Sequence, residues 1–516
     1  MSAFPFNLSL EDVASGFRLL NHKDTIRSSG LCMRSLEFLF IAQPLNFTEW
    51  MSTTMGNPEE YKQQIVTARA LGKKQSYSEL DHLRLVIPLE SWMSLADALI
   101  SNQLEMELRR AFPHLLSCSE PDGYFMGANR YTQPLDIAFG CQIMVEKALD
   151  MESCGGLAQF DIRQFYDSLP LVRLYQYLLE LGVDTCLVKA AMFHQLLPKL
   201  VVQLSSVTST SMDESSVVRH RATGGLTGSR TAGSLAKFII ACMMTSCRPQ
   251  LLPYGFASCM FTSTWVDNIY TTGKSASAAL EMARVLEDHL SLRWGLHIKA
   301  GSKLVMAVKG GTGCDTPNGW KQVDVFPVLG HYVSFNGNID VCYGETTKEA
   351  WRAFWRNTSK RCVRTLPNIL RAKRLARMVL PVFRYRWTRW PYTAWRASIL
   401  DKLQRRMIGI CMAYEPAPHA DTTLFWRGRA KAAGNLANQS GRWSTLWAKA
   451  VVAWDDHLQR SRNSHSWANA ITSLRDRDEL AWRRASFGGR PRTRVEATWT
   501  CRRWQDGLVE AKTCAQ

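Results

Sequence analysis

No Cys-x-x-C pair occurs among the 14 cysteines of this 516-residue chain, which lie scattered from Cys32 to Cys514. A disulfide framework needs dense, paired cysteines, and zinc needs closely spaced thiolate or imidazole ligands. The sequence therefore predicts reduced, mostly buried thiols, an intracellular compartment and no zinc. The N-terminal residues Met1 to Asn7 lack a basic segment and run directly into Glu11 and Asp12, so no secretory signal is expected. No run approaches the roughly 18 to 20 apolar residues of a membrane span. Leu235 to Cys247, the longest such stretch, is broken by Lys237 and reads as a core helix, so no membrane partner is expected. There is no internal repeat.

What is present is a strong charge asymmetry. The chain carries 63 Lys and Arg against 45 Asp and Glu, a net +18, with 46% hydrophobic residues. That composition excludes a disordered tail and points to a polyanionic partner. Residues 1–350 hold 30 basic and 34 acidic side chains, a net −4, whereas residues 351–516 hold 33 and 11, a net +22, and 13 of the 18 tryptophans. A boundary near residue 345 follows from this shift.

Between about 155 and 335 the hydrophobic period alternates. Leu157–Ile162 reads as a strand and Arg163–Leu181 as a helix; Lys199–Val207 and Val217–Arg221 look extended. A Gly-rich turn, Gly224–Ser229, leads into the Leu235–Cys247 helix. Ser258–Val266 and Ile269–Thr272 read as a hairpin around Asp267-Asn268, followed by a helix over Lys274–Leu292 and strands near Leu304–Val308 and Val328–Phe335. Strand, helix, hairpin, helix, strand is the order of a ferredoxin-like split β-α-β sheet. Upstream, Leu83–Leu89 reads as a strand and Trp92–Phe112 as a long helix. Residues 346–414 look helical, broken at Pro367, Pro381 and Pro391, and Gly488–Arg492 reads as a loose basic tail.

Two carboxylates stand out. Asp161 closes an apolar strand just before the aromatics Phe165 and Tyr166, and Asp267 sits at a hairpin tip. If those strands are sheet neighbours, the two converge and suit a hard divalent cation. Asp161 also fits a plain helix cap, and Asp267-Asn268 a plain turn pair.

Taken in order, these segments resemble the palm of a reverse transcriptase of the non-LTR retrotransposon and group II intron type. Asp161–Leu169 resembles motif A, Gly224–Gly233 motif B, and Trp265-Val266-Asp267-Asn268 the Tyr-x-Asp-Asp box. Gly295–Ile298 with Gly301-Ser302-Lys303 is similar to motif D, followed by Val328-Leu329-Gly330. Gly123–Gly127 with Arg130 and Asp136 resembles a fingers segment, and Arg84–Leu89 the Arg-Pro-Ile strand. The likeness covers roughly residues 120–335.

The resemblance implies an α+β right-hand polymerase: residues 1–120 as an N-terminal region with part of the fingers, 121–345 as fingers and palm, 346–414 as a helical basic thumb, and 415–516 as a basic Trp-rich extension. It implies RNA-directed DNA polymerase activity on an RNA template, DNA primer and dNTPs, with Mg²⁺ or Mn²⁺. Metal ligands would be Asp161, Asp267, Asn268 and the Ile162 carbonyl. Tyr166 would crowd the sugar 2′ position, Gly225, Thr227, Gly228, Ser229 and Arg84 would line the nucleotide site, and Lys303 would face the triphosphate; an ordinary solvated lysine is the plainer reading of Lys303.

The chain departs from the family pattern at three places. Asn268 replaces the second Asp of the box, which removes a full negative charge and lowers metal affinity. Thr227 stands where relatives have Gln, and Ala232-Gly233 replaces Ser-Pro. A decayed, RNA-binding scaffold is accordingly the alternative function.

The basic third carries Arg371, Lys373, Arg374, Arg377, Arg384 and Arg386 with interleaved tryptophans, a pattern suited to nucleic-acid binding, with about half the tryptophans assigned to a core. No endonuclease or ribonuclease H unit is recognisable, and the expectation is a piece of a longer element or gene product. The nucleus is preferred to the cytoplasm.

Overall fold

The alternating apolar residues of the central region form a sheet whose middle strand ends in Asp161. The computed structural model describes residues 2–20, 30–72, 83–116, 124–129, 132–150, 153–203, 217–218, 223–256, 262–308, 317, 319–358, 365–390, 392–415, 418, 421–461 and 500–515. Among them are strands β1 (Ile65–Gly72), β2 (Leu83–Val86), β3 (Tyr124–Met126), β4 (Gly155–Asp161), β5 (Lys199–Gln203), β6 (Val217–Val218), β7 (Thr262–Trp265), β8 (Asn268–Gly273), β9 (Leu304–Val308), β10 (Lys321–Gln322), β11 (Val325–Val328) and β12 (His331–Ser334).

The main sheet has the order β10-β9-β4-β8-β7-β3. Its inner four strands, β9-β4-β8-β7, are all antiparallel neighbours in the split β-α-β arrangement expected from the element order. The sheet as a whole departs from the antiparallel expectation: β3 joins β7 and β10 joins β9 in parallel, so it is mixed. A second sheet, β2-β1-β5-β6, stands apart, and β11-β12 form a hairpin.

The segment after β4 does not follow the helix expected over Arg163–Leu181. Residues 163–168 are turns, with Gln164 at φ 46°, and the helix begins at Leu171, after Pro170. Pro170 restricts Leu169 to non-helical backbone, and the Ser168 hydroxyl donates back to the Gln164 carbonyl at 3.0 Å. The helix that follows buries Leu171, Leu174 and Leu178 on one face. Ala276–His289 packs into the same core as that helix and ends in a π turn, Leu290–Trp294, capped by Gly295 at φ 68°.

Arg230–Leu251 is apolar around most of its circumference and runs through the main core, packed on the long helix Ser91–Ala111. The expected strand over Val328–Phe335 is instead the β11–β12 hairpin, turning at Leu329 (φ 48°) and Gly330 (φ 83°). The helical region is resolved into Ile339–Thr358, Asn368–Met378, Leu380–Arg384, Ala394–Cys411, Thr422–Ser440, Trp443–Ser461 and Thr500–Ala515. The helical run is interrupted at Val379, and Pro381 occupies the first turn of the helix that follows.

The composition boundary near 345 falls inside Ile339–Thr358. A second, Trp-rich core joins these helices to Leu135, Phe139 and Ile143 of helix Pro134–Asp150. Gly488–Arg492 and Arg130 lie outside the described residues. No described helix is long and apolar enough to cross a membrane.

Helix Ala276–His289 approaches β4 so closely that a Cβ on Gly156 would stand 2.4 Å from the Ala276 backbone. Gly156→Ala is expected to cost about 1–3 kcal/mol, read as a lower urea midpoint. Gly344→Ala, in a helix with open space around it, is expected to raise the midpoint by about 0.5–1 kcal/mol. Equal effects at the two sites would refute the packing argument.

Candidate active site

Asp161 is the last residue of β4, and its Cα partner on β8 is Asn268. One residue away, the Asp267 carbonyl accepts the Ile162 N–H at 3.0 Å, so the ladder carries both carboxylates to the same end of neighbouring strands. Asn268 Nδ2 donates to Asp267 Oδ1 at 3.1 Å and helps hold that side chain. The hairpin turns on Val266-Asp267, one residue earlier than expected, and Val266 takes φ 58°. A two-residue hairpin demands a left-handed residue there, and a β-branched side chain meets that demand only under strain, about 1–3 kcal/mol.

A third segment closes the other side of β4. Arg163 N–H donates to the His297 carbonyl at 2.8 Å and Lys299 N–H to the Asp161 carbonyl at 2.8 Å. Ser302 Oγ accepts the Asp161 N–H at 3.0 Å and donates to the Lys299 carbonyl at 2.8 Å. This pairing brings Lys299 Nζ to 3.5 Å from Asp161 Oδ2. Lys299 is mostly exposed, so the attraction is worth under about 1 kcal/mol.

Lys303, the lysine singled out in the sequence, goes elsewhere: its Nζ lies 2.7 and 2.8 Å from the two carboxylate oxygens of Glu287 and over the Trp320 ring. The backbone partners of the two lysines differ: Lys299 N–H donates to the Asp161 carbonyl, whereas Lys303, just before β9, accepts the Lys321 N–H at 3.0 Å. Lys299 has no sequence signal beyond its neighbourhood to the Gly-Leu-His-Ile segment.

Asp161 Oδ1 is buried and has no hydrogen-bond partner. An ionised carboxylate oxygen withdrawn from water in this way is costly unless a cation meets it. With Asp267 beside it and the Ile162 carbonyl next in chain, the donors are all hard oxygens, a set that fits Mg²⁺ or Mn²⁺. Among the described residues no group of three or more His, Cys, Asp or Glu side chains gathers here or elsewhere.

The Gly-rich loop is fastened to the segment after Asp161. Gly225 N–H donates to the Tyr166 carbonyl at 2.7 Å, Gly224 N–H to the Leu169 carbonyl at 2.9 Å, and Thr227 Oγ1 to Asp167 Oδ1 at 2.9 Å. Gly224 has φ 83°, and a Cβ there would stand 2.5 Å from the Asp167 carbonyl oxygen, so only glycine fits. Tyr166, Gly228 and Ser229 line a cavity of about 440 Å³ together with Val266, Arg230, Gly233, Glu105 and Lys237. Burial, and secondarily the Asp267 charge, push the Tyr166 phenol above its ordinary pKa, so it stays protonated at neutral pH. Arg84 belongs to β2, opposite Leu71 on β1, in the second sheet; the Ile87 N–H that follows β2 donates to the Thr227 carbonyl at 3.3 Å.

Asp97 was not singled out in the sequence. It is buried on helix Ser91–Ala111 and accepts from Ser229 Oγ at 2.6 Å, Arg230 N–H at 2.8 Å and Thr231 N–H at 3.0 Å. A carboxylate at a helix N-terminus satisfies otherwise orphaned N–H groups and complements the helix dipole. Gln195 extends the network, donating to Ser229 Oγ at 2.9 Å and accepting the Leu226 N–H at 2.7 Å. His194 Nε2 lies 3.8 Å from Asp97 Oδ1.

The six basic residues expected to grip nucleic acid divide. Lys373, Arg377 and Arg384 are exposed and Arg374 is half-buried. Arg371 instead donates to the Leu366 and Cys411 carbonyls at 2.7 and 2.8 Å, tying two helices together. Arg386 is buried, pairs with Glu349 at 2.5 Å and donates to the Gly330 carbonyl. Both are fold residues because neighbouring carbonyls and a carboxylate claim their guanidinium groups.

Asp97→Ala strips the cap from three donors and is expected to cost about 3 kcal/mol, with Asp97→Asn intermediate; urea unfolding with no loss in either variant would refute the role. Burial holds His194 below its ordinary pKa, the Asp97 charge opposing only in part. The unfolded chain therefore takes up this proton first. The associated stability is complete above about pH 6.5 and falls as pH drops through the folded value. His289, lowered by burial and Arg293, acts with the same sign. Thermal midpoints measured between pH 8 and 5 should fall toward acid, and less steeply in His194→Gln.

No family model matches the chain, and no curated protein matches it. The solved structures to which the chain is similar include two at 10% identity. One is an apo telomerase from Candida tropicalis truncated from the C-terminal domain, with a TM-score of 0.37 over 52% of this chain and 53% of that one, so the present chain spans about half its length. The other is a telomerase from Candida albicans in complex with the TWJ fragment of telomeric RNA, with a TM-score of 0.38 over 80% of this chain and 67% of that one.

Proposed function

We propose that the chain is an RNA-directed DNA polymerase that extends a primer 3′-hydroxyl with dNTPs on an RNA template, as the reverse transcriptase of a retroelement. The observation that carries the reading is the meeting of Asp161, its orphaned buried oxygen and Asp267 at one end of β4 and β8. In this reading residues 121–345 are fingers and palm and 346–414 the thumb. Asp161, Asp267, Asn268 and the Ile162 carbonyl would hold Mg²⁺ or Mn²⁺, which when bound neutralises charge in an in-line displacement at phosphorus.

The chain's own groups do the rest. Tyr166 narrows the cavity beside Asp267 and favours a sugar without a 2′-hydroxyl. The Gly224–Ser229 loop, pinned through Asp97 and Gln195, offers backbone at close approach to a nucleotide. Lys299, already beside Asp161, supplies the ammonium that balances triphosphate charge, the role the sequence suggested for Lys303.

Primer extension on an RNA template with Mg²⁺ tests this. Asp161→Asn and Asp267→Asn should each lower extension by at least about 100-fold, a loss of about 3 kcal/mol in transition-state stabilisation. A second reading, a decayed scaffold that binds RNA without catalysis, is favoured by Asn268 in the metal box and by Lys299 already paired with Asp161. It predicts no extension by the natural chain, extension restored in Asn268→Asp, and salt-sensitive RNA binding that survives Asp161→Asn.

A further inference from the structure

Helix Ile339–Thr358 presents, at spacings of three and four residues, Lys348, Trp351, Arg352, Trp355 and Arg356 on one face. Trp351 and Trp355 stack with ring centroids 6.2 Å apart and planes 24° from parallel. The Arg406 guanidinium lies 5.5 Å from the Trp351 ring, and Phe354 meets both indoles edge-on, at 5.3 and 4.9 Å. Trp355, at the outer end of this cluster, is 56% exposed. A large aromatic left open in a region that buries Trp387, Trp390, Trp443 and Trp447 completely is an exception to the local rule.

The neighbouring helix shapes the surroundings. Ala394–Cys411 reaches Ile339–Thr358 through two long side chains: Arg396 pairs with Asp340 at 2.7 Å and, about ten residues or 15 Å further along both, Arg406 lies over Trp351. It adds the exposed Lys402 and Arg406. Cations on two helices thus flank the indoles, and all but Lys348, which pairs with Glu345 at 2.7 Å, lie in the segment whose net charge is +22.

We infer that Trp355 is a stacking platform for an unpaired base of a single-stranded RNA whose phosphates are met by Arg352 and Arg406. The distinction from duplex binding is geometric. Phosphate contacts serve single and double strands alike, but an indole stacks only on a base face, and a duplex hides every face except those at its ends. The choice of RNA over DNA rests on the proposed polymerase reading, in which the template strand is RNA; the stacking platform does not.

The test uses the full chain carrying Asp161→Asn, without dNTPs or divalent cation, and fluorescence anisotropy of a labelled RNA of about 15 nucleotides, within the site sizes of such surfaces. Trp355→Ala should weaken single-stranded RNA binding about tenfold and leave the salt slope unchanged, while Trp355→Tyr keeps most of the affinity. Arg352→Ala should instead make the slope shallower by about 0.7. Blunt RNA duplex binding should not respond to Trp355→Ala. Unaltered thermal midpoints confirm that the exposed substitutions leave the fold intact.

An unchanged affinity in Trp355→Ala, or an equal loss for single strand and duplex, overturns the platform. Tighter binding of the same sequence as single-stranded DNA overturns the RNA assignment. Extension by the natural chain with no Trp355 effect refutes this inference alone. A Trp355-dependent single-strand affinity with no extension refutes the polymerase reading alone.

Discussion

The Asp97 carboxylate constrains more of this structure than any other single group. It lies on one long helix and satisfies the first N–H groups of another, Arg230–Leu251, which in turn passes through the main core. Through Ser229 and Gln195 the same carboxylate fixes the Gly-rich loop, and that loop is stitched to the backbone just after Asp161. The position of the loop relative to the metal-fit carboxylates therefore depends on a hydrogen-bond network that spans four separated segments. Because the group is buried and ionic, its value lies in geometry as much as in net stability: an apolar substitute would satisfy packing but leave the helix start unaddressed.

How much of this was legible in the sequence follows from the range of each interaction. Asp161 and Asp267 were readable because local alternation defines β4 and β8, and Ser229 because a Gly-rich turn before a helix is a local signal. The register that sets Asp161 opposite Asn268 follows from the same alternation. Asp97 was invisible, since it caps a helix start more than a hundred residues away and sits in an ordinary amphipathic pattern. Lys303 misled for a related reason: proximity in sequence to the site says nothing about which distant carboxylate a lysine meets, and Glu287 captured it.

The basic third shows the same limit from the other side. Composition located the charge but could not assign it, because an arginine that grips a phosphate and one that grips a carbonyl look alike in a sequence. Arg371 and Arg386 serve the second purpose: the first bonds the Leu366 and Cys411 carbonyls, the second joins the β11–β12 turn to Glu349. Their cost of desolvation is met by partners within the chain, so substituting them would loosen the helical region before it altered any charge presented to solvent.

The tryptophans then discriminate where the arginines do not. Trp387, Trp390, Trp443 and Trp447 are closed in the second core, and the Trp447 Nε1–H donates to the Trp387 carbonyl at 2.8 Å, so their indoles have apolar neighbours on both faces. Trp355, Trp395 and Trp426 are each more than half exposed. A residue that gains roughly 25 cal/mol for each Å² buried is left at the surface against a substantial driving force. Trp426 has the Arg429 guanidinium 5.1 Å from its ring and Phe425 edge-on, whereas Trp355 rests on a second indole, Trp351. A side chain already stacked on a neighbouring indole loses less rotamer entropy when its remaining surface is covered, and that preorganisation favours Trp355 over Trp395, which has no ring contact among the described ones.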